Sequence, residues 1–111
     1  MASFVYMTAA DRNEALAIGR ALVAERLAAC VNVLDGMTSV YWWNGKMEEG
    51  QEAVLIAKTA DELVGRLTER VRELHGYDCP CVVSWPIAEG NADYLRWIEA
   101  EAAPPDDGAA G

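Results

Sequence analysis

Apolar positions along the chain switch between two periods. Phe4-Val5-Tyr6-Met7-Thr8 is apolar on both faces of an extended chain, the pattern of a strand in the middle of a sheet. From Asp11 the period lengthens: Ala15, Ile18, Gly19, Leu22, Val23 and Leu27 recur at helical spacing behind an Asp11/Glu14 pair related to the capping box. This predicts a helix over 11–27. Residues 30–34 and 38–43 return to strand character on either side of Asp35-Gly36, an interruption that predicts a bulge or bend. Asn44-Gly45 is the favoured pair for a type I′ turn, whose central residues need positive φ, and the return strand runs from Lys46 to Ala57. A second helix starts near Asp61, with Leu63, Val64, Leu67, Val71 and Leu74 on one face and Gly76 placed to end it in a left-handed conformation. Residues 79–86 read as a last strand, and Asn91 caps a short helix carrying Tyr94, Leu95 and Ile98. Residues 102–111 hold nothing to bury and are expected to form a disordered tail, leaving 1–101 as a single domain.

Strand, helix, strand, strand, helix, strand is the order of a split βαβ, ferredoxin-like α+β sandwich with both long helices on one face of an antiparallel sheet. The central hairpin, from Cys30 to Lys58, is much longer than the outer strands, so its tip overhangs the domain. There Tyr41, Trp42 and Trp43 are consecutive, and alternation puts rings on both faces of a ribbon the domain cannot cover. The plainer alternative folds these rings back onto the core. Rings on both faces favour contact with other copies of the chain, which makes Tyr41, Trp42 and Trp43 the candidate subunit interface.

Charge narrows the partners. Nine basic against 18 acidic residues give a net charge of -9, which repels nucleic acid and anionic membrane surfaces. No run approaches the length of a membrane span, and no basic segment followed by a long apolar one marks a signal peptide. Three cysteines are too few, and an odd number, for a secreted disulfide scaffold, so a cytoplasmic protein is expected.

Candidate chemistry is sparse. Cys79-Pro80-Cys81 and Cys30 offer soft donors for copper(I) or zinc, although isolated cysteines commonly serve as small buried hydrophobes. His75, the single histidine, is the best candidate ligand or acid/base, with helix capping as the plainer role. Lys58 follows five apolar residues at a strand end, where a charge either faces a ligand or reaches out to solvent. Glu48, Glu49 and Glu52 read as a solvated acidic edge. Phosphate loops, paired catalytic carboxylates and nucleophile elbows are not found, so a binding protein is expected rather than an enzyme.

Several runs stand together in one order. They are Arg26-Leu27-Ala28-Ala29-Cys30-Val31-Asn32-Val33, Thr38 through Lys46, Lys58-Thr59, His75-Gly76-Tyr77-Asp78, Pro86 through Asn91, and Tyr94-Leu95-Arg96-Trp97. With them the chain resembles the CutA divalent-cation tolerance family from about Phe4 to Ile98. The resemblance implies a cytosolic ferredoxin-like homotrimer, similar in architecture to PII signalling proteins and tied to tolerance of copper or another divalent cation. It places copper-associated positions on Met7 and His75 and a small-ligand cleft between subunits near Cys30, Trp43, Lys58 and Tyr77. Gly76, Asp78 and Cys81 stand where the family pattern has proline, glutamate and an acidic residue. The alternative is a PII-like signalling or adaptor trimer that binds a metabolite or protein segment in that cleft.

Overall fold

A computed structural model describes residues 1–105. Strand β1 (Ala2–Ala9) leads into helix α1 (Arg12–Ala24), then the long strands β2 (Cys30–Trp43) and β3 (Lys46–Ala60). A 3-10 turn over Asp61–Leu63 opens α2 (Val64–Leu74); a loop leads to β4 (Val82–Pro86), and α3 (Ala92–Glu101) follows. The strands form one antiparallel sheet in the order β2-β3-β1-β4, the ferredoxin-like arrangement.

Side chains at Val5, Met7 and Ala9 of β1 and Ala53, Leu55 and Ala57 of β3 point to one face of the sheet. There they meet Ala15, Ile18 and Leu22 of α1 and Leu67 and Val71 of α2. Fully burying a leucine such as Leu22, Leu55 or Leu67 contributes about 1.5–3 kcal/mol, so this layer dominates stability. Helix α1 lies close enough to the sheet that a Cβ built on Gly19 would sit 2.9 Å from Val31 Cγ2 and 3.1 Å from Leu55 Cδ1. Helix α3 packs on the opposite face, where Tyr94 meets Lys58 and Ile98 is fully buried.

Helix ends are set by local chemistry. Asp11 accepts the Glu14 N–H at 2.8 Å, and the Glu14 carboxylate accepts the Ala10 N–H, also at 2.8 Å, as the capping pair predicts. Helix α1 stops at Ala24, short of the predicted Leu27, because Arg26 takes a left-handed φ of 59°. The Arg26 N–H then reaches the Val23 carbonyl and the Leu27 N–H the Leu22 carbonyl, a Schellman arrangement with arginine in the usual glycine position. Helix α2 ends differently from expectation. His75 leaves the helix in extended geometry, and Gly76 is not among the positive-φ residues. Glycine is suited to position 76 for space: an added Cβ would lie 2.8 Å from Glu14 Oε2, which accepts the Gly76 N–H at 2.9 Å.

Asn44 (φ 52°) and Gly45 (φ 78°) close the hairpin as the type I′ pair predicts, with Trp43 opposite Lys46. Asp35-Gly36 is a bulge: Leu34 pairs with Val54 and Met37 with Glu52, so two residues of β2 oppose Ala53 alone. Gly36 has a φ of 78°, and the Asp35 side chain accepts its N–H. The extra residue puts Cys30, Asn32 and Leu34 on the same face as Met37, Ser39, Tyr41 and Trp43.

Two expectations at the C-terminal end are corrected. Cys79 and Cys81 lie in a loop, and β4 begins only at Val82, so the two thiols do not share a strand face. Ladder pairing with β1 stops at Met7–Val82, and the next β1 carbonyl, that of Thr8, is taken by the His75 ring. Ala102 is buried beside Ala60 and Leu63 rather than having nothing to bury, while residues 106–111 of the expected tail lie outside the described residues.

Substitution Gly19→Leu is expected to force α1 away from Val31 and Leu55 and to lower stability by about 1–3 kcal/mol, as overpacking does. Urea denaturation reads this directly. An unchanged midpoint would show that the sheet yields without cost.

Candidate functional site

The loop after α2 is anchored from inside. The His75 side chain is only 1% exposed. The Tyr77 N–H donates to His75 Nδ1 at 3.0 Å, which requires that nitrogen to be unprotonated; Nε2–H then donates to the Thr8 carbonyl at 2.7 Å. Both ring nitrogens are therefore engaged. The neighbouring Gly76 N–H is held by Glu14, and the Tyr77 ring packs on the imidazole at a centroid distance of 4.6 Å. His75 thus fixes where Tyr77 and the following loop stand.

Tyr77 reaches over the sheet to the hairpin. Its hydroxyl donates to Glu52 Oε2 at 2.8 Å, and the Ser39 hydroxyl donates to Glu52 Oε1 at 2.6 Å. Glu52 is half-buried and both its oxygens accept hydroxyl hydrogen bonds, so the expected solvated acidic edge is corrected there. Burial, with the Glu52 carboxylate adding, holds the Tyr77 phenol well above its ordinary value, so it stays a neutral donor. Between the hairpin and this loop lies a cavity of about 350 Å³ lined by Tyr41, Trp43, Tyr77, Glu52, Asp78 and Thr8, together with Cys79 and Cys81. Burial also raises the Cys81 thiol, Glu52 adding to it.

A second group sits far down the hairpin. Cys30 and Lys58 are directly opposite in the ladder. Lys58 Nζ donates to Asn32 Oδ1 at 3.2 Å and to the Tyr94 hydroxyl at 3.4 Å, and that hydroxyl lies 3.5 Å from Cys30 Sγ. At about 3.3 Å per residue the two ends of β2 stand roughly 40 Å apart. Within one chain the four expected cleft residues therefore fall into two sets, Trp43 with Tyr77 and Cys30 with Lys58.

The metal expectation meets resistance in the donors. Met7 is 1% exposed, its thioether enclosed in the core, and His75 has no free nitrogen. A metal at these positions would need to break at least one buried hydrogen bond and open the core, so they do not fit the ion as arranged. Among the described residues no group of three or more His, Cys, Asp or Glu side chains is placed to hold one.

Glu52, Asn32 and Tyr94 were not singled out from the sequence as site residues. For Glu52 the signal was available: a bulge at Asp35-Gly36 brings Ser39 and Glu52 to one face. The 3.5 Å approach of Tyr94 to Cys30 comes from the docking of α3, which no spacing foretells.

The exposed apolar groups lie where the hairpin outruns the domain. Trp42 is 75% exposed, Trp43 55% and Tyr41 45%, and Val40 and Met47 are exposed beside them. Tyr41 and Trp43 share one face of the ribbon and Trp42 takes the other, as the alternation predicts.

Comparison with known proteins agrees over nearly the whole chain. The family model described as CutA1 divalent ion tolerance protein matches residues 3–101. The divalent-cation tolerance protein CutA of Thermus thermophilus is 47% identical over 98 residues, covering 88% of this chain and 95% of that protein. Its counterpart from Archaeoglobus fulgidus is 37% identical over 99 residues, covering 89% and 96%. The chain spans only 54% of the chloroplastic rice relative, at 42% identity. Among solved structures, the Thermus thermophilus protein superposes with a TM-score of 0.89 at 46% identity, covering 91% of this chain and 98% of that one.

Alkylation should separate the two loop thiols, Cys79 and Cys81. Cys79 is exposed, whereas burial and Glu52 hold the Cys81 thiol in its protonated form to higher pH. Iodoacetamide followed by peptide mass spectrometry at pH 7 to 8 is expected to label Cys79 several-fold faster than Cys81. Glu52→Gln should narrow the gap. Equal rates in the wild type would show that the loop does not hold Cys81 as described.

Proposed function

The chain belongs to the CutA1 divalent ion tolerance family, and on that footing we propose that it acts as a divalent-cation tolerance protein, working through assembly and binding rather than catalysis. The observation that carries this reading is the overhanging hairpin, whose tip exposes Tyr41, Trp42 and Trp43 on both faces. The open sheet face adds Leu34, Val83 and Trp85. Apolar surface in contiguous patches of this kind marks a protein contact. A homotrimer, in which each hairpin tip reaches a neighbour, buries it.

Assembly also answers the separation of the two residue sets. Trp43 and Tyr77 are remote from Cys30 and Lys58 in one chain, so a single cleft containing all four requires the tip of one copy beside the base of another. The ion tolerated is copper or another divalent cation, met without coordination by Met7 and His75 in the arrangement described. Three unpaired thiols suit a reducing compartment, which favours the cytoplasm. Among the described residues no helix is long and apolar enough to cross a membrane.

Sedimentation equilibrium is expected to give a mass near three times 12.1 kDa, and Trp42→Asp or Trp43→Asp is expected to give monomer. Cells lacking their own copy should regain copper tolerance with the wild-type chain and not with the Trp43→Asp chain. Copper titration against a chelator should be the same for wild type and His75→Ala. A trimer that survives both tryptophan changes, or copper affinity lost with His75, would overturn the reading.

A further inference from the structure

We propose that, in the assembled protein, the Lys58 ammonium of each copy pairs with Glu52 of the partner subunit. This pairing deepens the assembly proposed above and rests on it. Lys58 donates to Asn32 Oδ1 at 3.2 Å and to the Tyr94 hydroxyl at 3.4 Å, both neutral acceptors, and takes part in no ion pair among the described residues. The charged side chains of α3 beside it are all matched, Asp93 with Arg96, Glu99 with the N-terminal ammonium and Glu101 with Arg26. Glu52 mirrors Lys58 with the opposite sign: its oxygens accept from the Ser39 and Tyr77 hydroxyls, and no cation meets it among the described residues. Both side chains are half-buried, so each charge has given up water without gaining a counter-charge. They project from the same face of β3 six residues apart, about 20 Å at the usual strand rise, and cannot meet within one chain.

Each charge sits in an aromatic patch. Lys58 lies against Tyr94, which stacks on Trp97 at 5.5 Å, the two rings 40% and 42% exposed. Glu52 shares its cavity with Tyr41, Trp43 and Tyr77. Joining unlike patches from two copies buries apolar surface and brings opposite charges together; joining like patches would oppose equal charges. The contact is therefore head-to-tail, tip against base, and three such contacts close a ring in which every copy gives one lysine and one glutamate. An ammonium that stands beside the Tyr77 hydroxyl also stands beside Glu52, because that hydroxyl is 2.8 Å from Glu52 Oε2. Covering Tyr41 and Trp43 withdraws water from the same carboxylate, which is costly unless a cation arrives with the cover. Lys46 of the same chain cannot serve, since it lies six residues along β3 at the tip, again about 20 Å away. Asp78 lines the same cavity but is exposed, so its charge depends less on a partner. With a net charge of -9 on every chain, association is opposed by overall repulsion, which gives a local pair of opposite sign more weight.

The test follows association of the full-length chain by sedimentation velocity across a range of concentrations, in enough urea to bring wild-type dissociation into range, with circular dichroism confirming folded subunits. Glu52→Gln keeps an acceptor for the hydroxyls and removes only the charge; Lys58→Met removes the ammonium and keeps the stem. Each is expected to raise the concentration of half-dissociation roughly tenfold or more, and the double variant is expected to be no weaker than either alone. Fully additive effects would overturn the pairing, as would association unchanged in both variants. Charge reversal then shows whether the pair joins different copies. Lys58→Glu and Glu52→Lys chains should each fail to associate alone, and an equal mixture should regain trimer, because two of the three contacts in a mixed ring join opposite charges. Mixing does not repair a defect inside a chain, so folded chains that stay dissociated when mixed would also overturn the pairing. A monomeric wild type would overturn assembly and pairing together, whereas a wild-type trimer indifferent to these changes would remove the pair and leave the assembly standing.

Discussion

Two strands of 14 and 15 residues pair along nearly their whole length, whereas β1 and β4, which complete the sheet, have only 8 and 5. That surplus of ladder is the constraint on which the rest depends. Backbone hydrogen bonds can extend a hairpin as far as its sequence alternates, but helices α1 and α2 can cover only the part that lies over the domain. Past that boundary each additional residue pair satisfies its own backbone and leaves its side chains without a core. The sequence fills those positions with aromatic groups, which gain most from finding apolar cover. The same extension sets one wall of the cavity, because the loop after α2 must lean over the sheet to reach a carboxylate already on the hairpin.

Polar groups tie that loop down in a chain of dependencies. Glu14 caps the start of α1 through Ala10 and, with its other oxygen, holds Gly76. His75 links the Thr8 carbonyl to the Tyr77 amide, and Tyr77 links this anchor to Glu52. Every side-chain nitrogen and oxygen buried among the described residues has a partner. In that setting a lone histidine at the end of α2 is a structural hub: its two nitrogens act as one donor and one acceptor, and neither is left for an ion.

Much of the fold was legible because its signals are local. Asn44-Gly45 demands a turn with positive φ, Asp35-Gly36 demands a bulge, and Asp11 and Asn91 announce helix starts, each through hydrogen bonds within a few residues. The misreadings arise where a distant group wins a local contest. Residues 79–81 have strand composition, but β4 pairing ends at Val82, beside the carbonyl that His75 claims from 67 residues away along the chain. Gly76 looks like a helix terminator, yet the close approach of Glu14 gives the position its limit on size. In the candidate site, Trp43 and Tyr77 could be picked out as exposed aromatic groups, whereas Glu52 could be placed only after counting residues across the bulge.

That bulge has one more implication. Thr38-Ser39 and Trp42-Trp43 are each a pair of near-equivalent neighbours, so the distal half of β2 reads almost the same in either phase. A slip by one residue would present Thr38 and Trp42 where Ser39 and Trp43 now stand, another hydroxyl and another indole. Neither of those pairs chooses between the two. The choice is recorded eight residues upstream of Trp43, in the single unpaired step at Asp35-Gly36, which behaves like a frame marker for everything distal to it. A one-residue insertion or loss at that spot would leave the strand, the turn and the composition almost intact. It would nonetheless exchange the inner and outer surfaces of the tip, making the bulge an economical place for related chains to diverge in what their hairpins touch.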